Sequence, residues 1–262
     1  TFKNVYRSLF NPKKAGPTWK SVLMGLKKMH KKTLALSEVV LVQTSLEARD
    51  LKETYDVDFK WEKIPNGVGK QFINPEGLEN PFKNEGFKDY ILCVGRIEPR
   101  KNQLSIIEAV DLLRTETGKD LQLVFVGKKS GRRHFEYIWR FNSLLKKYPW
   151  IRHIKQVPYE QMPSYYHFAK VGVSASWFET TGLTSLEAIF CGANAVAAGD
   201  RAKEYLGDRA FYCTPNDISS IKSALLKAYE APPPEITEKM RNEYTWENAA
   251  KKTLEVYKNS LK

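Results

Sequence analysis

The sequence predicts an α/β protein built on a parallel, doubly wound sheet of about six strands flanked by helices, and three observations carry that reading. Between Tyr90 and Tyr229, short β-branched and aliphatic runs alternate with segments of helical period, the pattern that βαβ units leave in a sequence. Two of those runs close on a glycine, Gly95 and Gly127, where a strand can turn sharply into a loop. The 262 residues are 42% hydrophobic and 12% aromatic, enough apolar mass for a packed core and too much for a disordered basic tail. That length suits one large domain or two modest ones.

In chain order, residues 18–36 have the spacing of an amphipathic helix, Val39 to Gln43 reads as a strand, and Thr44-Ser-Leu-Glu47 is a capping box opening a second helix. Pro65-Asn66-Gly67 is a turn, and the Asn-, Pro-, Gly- and Lys-rich residues after it read as a linker. One strand and two helices are too few for a sheet domain. Residues 1–66 are therefore expected to be the terminal part of an N-terminal domain, 67–87 the linker, and 88–234 the main sheet domain. Residues 235–262 are expected to form C-terminal helices that pack back toward the first domain. The opening Thr-Phe-Lys-Asn-Val-Tyr has no Met, secretion core or cleavage pattern and reads as a beginning in mid-protein.

Strands are expected over Tyr90 to Gly95, Leu121 to Gly127, Ile151 to Val157, Val171 to Ala175, Ala193 to Ala198 and Ala210 to Thr214. The first intervening helix, Asn102 to Thr117, carries Leu104, Ile107 and Leu112 on its apolar side and stops at Gly118. Further helices run from Phe135 to Tyr148, from about Glu160, from Leu183 to Cys191, and from Asp217 to Tyr229 with Asn216 or Asp217 as cap. Pro232-Pro-Pro234 ends the last of these, and Thr245-Trp-Glu-Asn starts a final helix to about Lys258.

Composition excludes several function classes. No run reaches the roughly 18 apolar residues of a membrane span. Cys93, Cys191 and Cys213 lie far apart, without Cys-x-x-Cys spacing, and read as small apolar residues in a reducing compartment. His30, His134, His153 and His167 are equally scattered, so no metal site is expected.

Parallel sheets bind ligands beyond the carboxyl ends of their strands, which directs the search to the loops. After the first strand of the main domain comes Gly95-Arg-Ile-Glu-Pro-Arg-Lys101-Asn102. Here Gly95 permits the turn, and Arg96 and Lys101 precede a helix N-terminus, where together they can neutralise a diphosphate. After the fourth comes Ser176-Trp-Phe-Glu179-Thr-Thr-Gly182-Leu-Thr-Ser-Leu-Glu187, ending at Gly192. The amides of Gly182, Leu183 and Thr184 stand at a loop-to-helix junction suited to phosphate oxygens. Glu179 and Glu187 are set to accept from different hydroxyls of one ligand, Glu187 as a ribose acceptor; the plain alternatives are a loop acid and a helix-dipole partner.

Gly95-Arg96 with Lys101-Asn102, and Glu179 and Glu187 separated by seven residues with Gly182 between, resemble the donor-binding half of family 4 glycosyltransferases of the GT-B fold. Val39 to Thr44, Pro65-Asn66-Gly67-Val68 and Tyr244-Thr-Trp246-Glu resemble that family's first-domain end, linker and terminal helix. The resemblance implies a Rossmann-like donor domain and retaining, metal-independent transfer of a sugar from a UDP-, GDP- or ADP-sugar, with no cofactor. It implies Arg96 and Lys101 on the diphosphate, Glu179 on the sugar, Glu187 on the ribose, the backbone around Val157 on the base, and Gly95, Gly182, Leu183 and Thr184 lining the site. The acceptor implied is a glycan or lipid-linked glycan, in polysaccharide, lipopolysaccharide or capsule synthesis at the cytoplasmic side of a membrane. A nucleotide-sugar binding module without complete catalytic apparatus, or an epimerase on the same fold, is the alternative. Thr181 stands where the family often has an aromatic residue, Asn194 and Ala195 where a proline is frequent, and no histidine matches the family's first-domain His.

The 42 Lys and Arg against 30 Asp and Glu give a net charge of +12. Lys20, Lys27, Lys28, Lys31 and Lys32 share the 18–36 helix, which reads first as a half-buried scaffold helix and second as a contact for an anionic membrane surface. The remaining basic pairs are spread over separate elements without an RNA-binding signature, so no nucleic-acid partner is expected.

Overall fold

The structure is a computed structural model and describes residues 25–87, 89–179 and 181–261. The chain divides into two compact units, residues up to Ile64 with Lys251–Lys262, and Pro65–Ala250. In the first, helix α1 (Leu26–Leu36) leads to strand β1 (Val40–Val42), helix α2 (Ser45–Tyr55) and strand β2 (Trp61–Lys63). The expected helix over 18–36 is corrected at Gly25, whose backbone stands at φ 72°, ψ 134°, so that α1 begins only at Leu26. Residues 18–24, with Trp19, Lys20, Val22 and Leu23, lie outside the described residues. The expected cap forms with one shift: Thr44 accepts from the Glu47 amide at 3.1 Å, and the Glu47 carboxylate accepts from the amide of Gln43, one residue before the cap, at 2.8 Å. Strand β2 pairs in parallel with β1, Trp61 opposite Val40. It escaped the sequence reading because Trp-Glu-Lys gives no apolar alternation.

The second unit holds the sheet. Helix α3 (Lys70–Ile73) precedes β3 (Tyr90–Val94), α4 (Gln103–Thr117), β4 (Leu123–Val126), α5 (Phe135–Lys147), β5 (Ile151–Ile154), α6 (Met162–His167) and β6 (Ala169–Val173). Then follow α7 (Leu183–Phe190), β7 (Asn194–Ala198), α8 (Asp200–Leu206), β8 (Phe211–Cys213), α9 (Ile218–Glu230), α10 (Glu238–Glu243) and α11 (Trp246–Ser260), whose last residues belong to the first unit. All six strands run parallel in the order β5-β4-β3-β6-β7-β8. Alternate residues of each strand face opposite layers. Ile91, Cys93, Phe125, Val171 and Val196 join the cluster that includes Ile106, Val110 and Leu113 of α4 and Ile221 and Leu225 of α9. Leu92, Val124, Ala195 and Ala197 join the other, with Leu186 and Ile189 of α7 and Tyr166 of α6. Burial on both faces explains why these strands read as nearly unbroken apolar runs.

The structure moves several details. Helix α4 turns Ile106, Ile107, Ala109, Val110 and Leu113 inward, while Leu112 is 41% exposed, so the apolar side is centred about one residue from where Leu104, Ile107 and Leu112 put it. Asp217 is the α9 cap, its carboxylate accepting from the Ser220 amide at 3.1 Å. Residues 67–87, read as a linker, contribute α3 and send Phe72, Ile73 and Phe82 into the core of the second unit. Short α3, α8 and α10 carry too few apolar positions for a periodic signal. Among the described residues no helix is long and apolar enough to cross a membrane. The three cysteines are free and buried, and burial pushes each thiol up to about 12.

One close approach shapes the ligand end of the sheet. Gly127, after β4, has φ 153°, and a Cβ there would lie 2.0 Å from the Gly95 carbonyl oxygen. Gly127→Ala is therefore expected to cost about 2–4 kcal/mol, read as a lower urea midpoint with unchanged slope.

Candidate functional site

Strands β3 and β6 are neighbours, yet the helices that follow them pack on opposite faces, α4 in one core layer and α7 in the other. Their loops leave the sheet's carboxyl edge at the switch point, the place at which doubly wound sheets take ligands in a crevice. Both sequence motifs lie on these two loops.

The loop after β3 is held by backbone and by one buried side chain. The Gly95 amide donates to Val126 O at 2.9 Å, Ile97 N to Lys128 O at 3.0 Å, and Ser130 N to Ile97 O at 3.0 Å. Gln103, fully buried, donates through Nε2 to Arg96 O at 2.9 Å and accepts on Oε1 from the Glu98 amide at 3.3 Å and the Tyr137 hydroxyl at 2.9 Å. The Arg96 backbone is thereby fixed while its guanidinium stays two-thirds exposed, 3.7 Å from the Glu98 carboxylate. A 3-10 turn, Pro99–Lys101, ends at Asn102, whose φ of 58° is one that asparagine tolerates better than most residues. The Asn102 side chain also donates to Pro215 O at 2.7 Å and accepts from Ser105 Oγ at 2.7 Å.

The loop after β6 is latched to this turn. Trp177 N donates to Arg100 O at 2.9 Å, the Arg100 guanidinium donates to Phe178 O at 3.0 Å, and Lys101 Nζ meets Glu179 Oε2 at 2.8 Å. Both side chains of that last pair are about 15% exposed, and Ser174 Oγ approaches the same carboxylate oxygen at 3.4 Å. Sequence reasoning singled out Lys101 and Glu179 separately; the structure brings them into one ion pair. Gly182 follows in the left-handed region (φ 61°) as the start of α7, with no side chain capping the helix among the described residues. The Ser185 and Leu186 amides turn back to Gly182 O, and the Leu183 and Thr184 amides, the first of α7, are among those a helix start leaves without an intrahelical partner.

Glu187, one turn into α7, is the recipient of two tyrosine hydroxyls: Tyr166 donates to Oε2 at 2.8 Å and Tyr159 to Oε1 at 3.2 Å. Burial raises the Glu187 carboxyl above the usual range, opposed by the two hydroxyls, and Tyr159 is itself pushed up to about 12. This is neither a helix-dipole contact nor an ion pair. No described hydrogen bond joins Glu187, Arg96 or Val157 to the Lys101–Glu179 pair; Val157, after β5, is half-buried against the core layer that holds α7. Gln103, Arg100, Ser174, Tyr159 and Tyr166 were missed because each acts through position rather than motif. The one available signal was Gln103, a polar residue inside an otherwise apolar helix start. Among the described residues no group of three or more His, Cys, Asp or Glu converges to hold a metal ion.

The family model described as "Glycosyl transferases group 1" matches residues 78–252. The chain is 30% identical over 180 residues to an O-antigen chain mannosyltransferase B of Escherichia coli, covering 66% of this chain and 46% of that protein. It is 28% identical over 166 residues to a D-inositol 3-phosphate glycosyltransferase of Arthrobacter sp. strain FB24, covering 60% and 38%. The chain thus spans less than half the length of these relatives. Among solved structures, sucrose-phosphate synthase of Thermosynechococcus elongatus superposes with a TM-score of 0.72 at 19% identity, covering 98% of this chain and 65% of that one. A glycosyltransferase from Rickettsia africae superposes with a TM-score of 0.71 at 20% identity, covering 90% and 67%. The expected family and fold class are borne out.

Two outcomes follow from this geometry. Glu179→Ala, which strands a mostly buried ammonium, is expected to cost about 1–3 kcal/mol, and Lys101→Met/Glu179→Gln less than the two single changes summed, in a denaturant double-mutant cycle. For Glu187 the folded state holds its proton more tightly than the unfolded chain. Its contribution to stability is therefore greatest at low pH and is lost as pH rises from about 4.5 through the raised value. The stability of wild type relative to Glu187→Gln is expected to fall across that window and to level above it, measured by urea unfolding at successive pH values.

Proposed function

The chain belongs to the group 1 glycosyl transferases, and we propose that it binds a nucleotide-sugar donor in the β3/β6 crevice and supplies the donor side of a retaining, metal-independent glycosyl transfer. The observation that carries this is the juxtaposition of Lys101 with Glu179 at the switch point, flanked by the exposed Arg96 guanidinium and the uncapped start of α7. In this reading the two cations and the two amides serve the diphosphate, while the carboxylate offers an acceptor for hydroxyls.

In the proposed mechanism the donor diphosphate enters between Arg96, Lys101 and the amides of Leu183 and Thr184. Lys101 is drawn toward the phosphate oxygens, and Glu179 is released to accept from sugar hydroxyls. As the bond from the sugar's anomeric carbon to the diphosphate breaks, negative charge grows on the departing oxygen. Fixed donors that need not reorganise stabilise that charge most where water is excluded. The acceptor hydroxyl's oxygen then bonds to the anomeric carbon on the side the diphosphate leaves, and its proton passes to the departing diphosphate oxygen. Glu179 orients rather than attacks, its oxygens taken up by the sugar hydroxyls and the Ser174 hydroxyl. Glu187 accepts from the ribose, with Tyr166 holding one oxygen and the more exposed Tyr159 yielding the other. The backbone near Val157 receives the base.

The proposed acceptor is a cell-surface glycan or a lipid-linked glycan, supported by the relative that acts on an O-antigen chain. The proposed compartment is the cytoplasm, supported by three buried free thiols. A second reading, a donor-binding module completed by another domain or chain, is favoured by one observation: every named donor-side residue lies in the second unit. Donor binding without transfer or donor hydrolysis would select it.

Titration with UDP-, GDP- and ADP-sugars in the presence of EDTA is expected to show binding of one base class. Arg96→Ala and Glu187→Ala are each expected to weaken it about 10- to 100-fold, as loss of a charged hydrogen bond does. Absence of binding to all three, or variants that bind as wild type, would reject the site.

A further inference from the structure

Helix α5 (Phe135–Lys147) turns to solvent a face that the donor site does not use. Phe135 and Trp139, one turn apart, are 73% and 60% exposed, and among this helix's residues only Phe141 is buried. At about 3.6 residues per turn, Ser143 and Lys146 continue the same stripe, and Arg140 and Lys147 flank it. All four are exposed. Single exposed apolar side chains are ordinary, but two adjacent aromatic rings set among cations are a patch. Between Lys128 and Lys147 the sequence has seven Lys and Arg and one Glu, so these residues carry half of the chain's +12. Beside the stripe a shallow pocket of about 300 Å³ is lined by Pro99, Arg133, His134, Glu136, Tyr137 and Arg140. Glu136 is its one carboxylate.

We propose that this face is a lipid-docking surface. Phe135 and Trp139 enter the interfacial layer of an anionic bilayer, Lys146 and Lys147 meet its surface charge, and the Arg133/Arg140 pocket takes a phosphate headgroup. A convex helix with aromatic rings along its centre and cations at its margins has the form of an interfacial helix, whose affinity is the sum of buried apolar area and attraction to anionic lipid. A single-stranded nucleic acid would instead need rings interleaved with cations along a groove. Lysine-rich α1 lacks the apolar half of such a contact: its exposed apolar side chains are Leu26 and Leu36 at its two ends, and its Lys31 is engaged by Asp56 at 2.9 Å.

The test is co-sedimentation of the whole chain with vesicles of phosphatidylcholine alone and with about 30% phosphatidylglycerol. Binding is expected to the anionic vesicles only and to weaken with salt. Phe135→Ala/Trp139→Ala and Arg140→Glu/Lys146→Glu should each lower partitioning about tenfold or more. Because all four side chains are exposed, thermal midpoint and nucleotide-sugar titration should stay as in wild type. The proposal is overturned if anionic vesicles do not bind, or if the two α5 variants bind as wild type. It is equally overturned if Lys27→Glu/Lys28→Glu abolishes binding while the α5 variants retain it, or if single-stranded RNA binds and the same α5 residues govern only that binding.

Discussion

An ammonium and a carboxylate 2.8 Å apart, Lys101 and Glu179, stand where the strand order of the sheet reverses, and the local architecture is organised around their meeting. They belong to loops 78 residues apart in sequence, brought together only because β3 and β6 pair in the sheet. Neither loop has regular structure enough to hold itself. Each is fixed from outside: the first by Gln103 and by the strand-like bonds of Ile97 to the loop after β4, the second by the Arg100 latch and the Ser174 hydroxyl. A pair so mounted is costly to bury unless its charges are mutually satisfied. The two side chains satisfy each other.

Under the proposed function, that arrangement makes donor binding an exchange rather than an addition. A diphosphate offers the lysine more negative charge than the carboxylate does, and sugar hydroxyls offer the carboxylate new donors. Each partner would leave one contact and gain another, so neither charge would go unpaired in the exchange. The Glu187 cluster follows the same logic in neutral form. Two tyrosine hydroxyls, not cations, hold that carboxylate, so no positive charge is paired with the group proposed to accept from the ribose.

The sheet was legible in the sequence because its strands are covered on both faces, so each appears as a short apolar run between helices of clear period. Short elements with one or two buried residues were not: β2 has Glu62 and Lys63 at two of its three positions, and α3 sits among residues whose Asn and Gly content suggests a linker. Gly95, Arg96, Lys101, Glu179, Gly182 and Glu187 could be read because strand ends in a parallel sheet direct attention to the residues that follow them. Their supports could not. That Gln103 closes on Arg96 and Glu98, or that Tyr159 and Tyr166 close on Glu187, depends on rotamers and on helix positions that no spacing rule encodes. Leu112 shows the limit from the other side: an apolar residue at plausible helical spacing is exposed, since α9 packs against a neighbouring stripe of α4.

Asn194 and Ala195 open a strand where the family pattern often has a proline, and the structure shows what occupies Asn194. Its buried side-chain amide donates to Ala228 O at 2.9 Å, Ala231 O at 3.2 Å and Pro232 O at 3.1 Å, stitching the start of β7 to the end of α9 and to the proline run beyond it. Two amide hydrogens serve three carbonyls, so the contact works only for a side chain that donates. Deamidation, the slow chemical ageing of asparagine, would set a carboxylate against those three oxygens and turn attraction into repulsion at the seam of strand and helix. Burial within a strand denies the backbone the freedom that this reaction needs, so the fold protects the residue whose alteration would harm it.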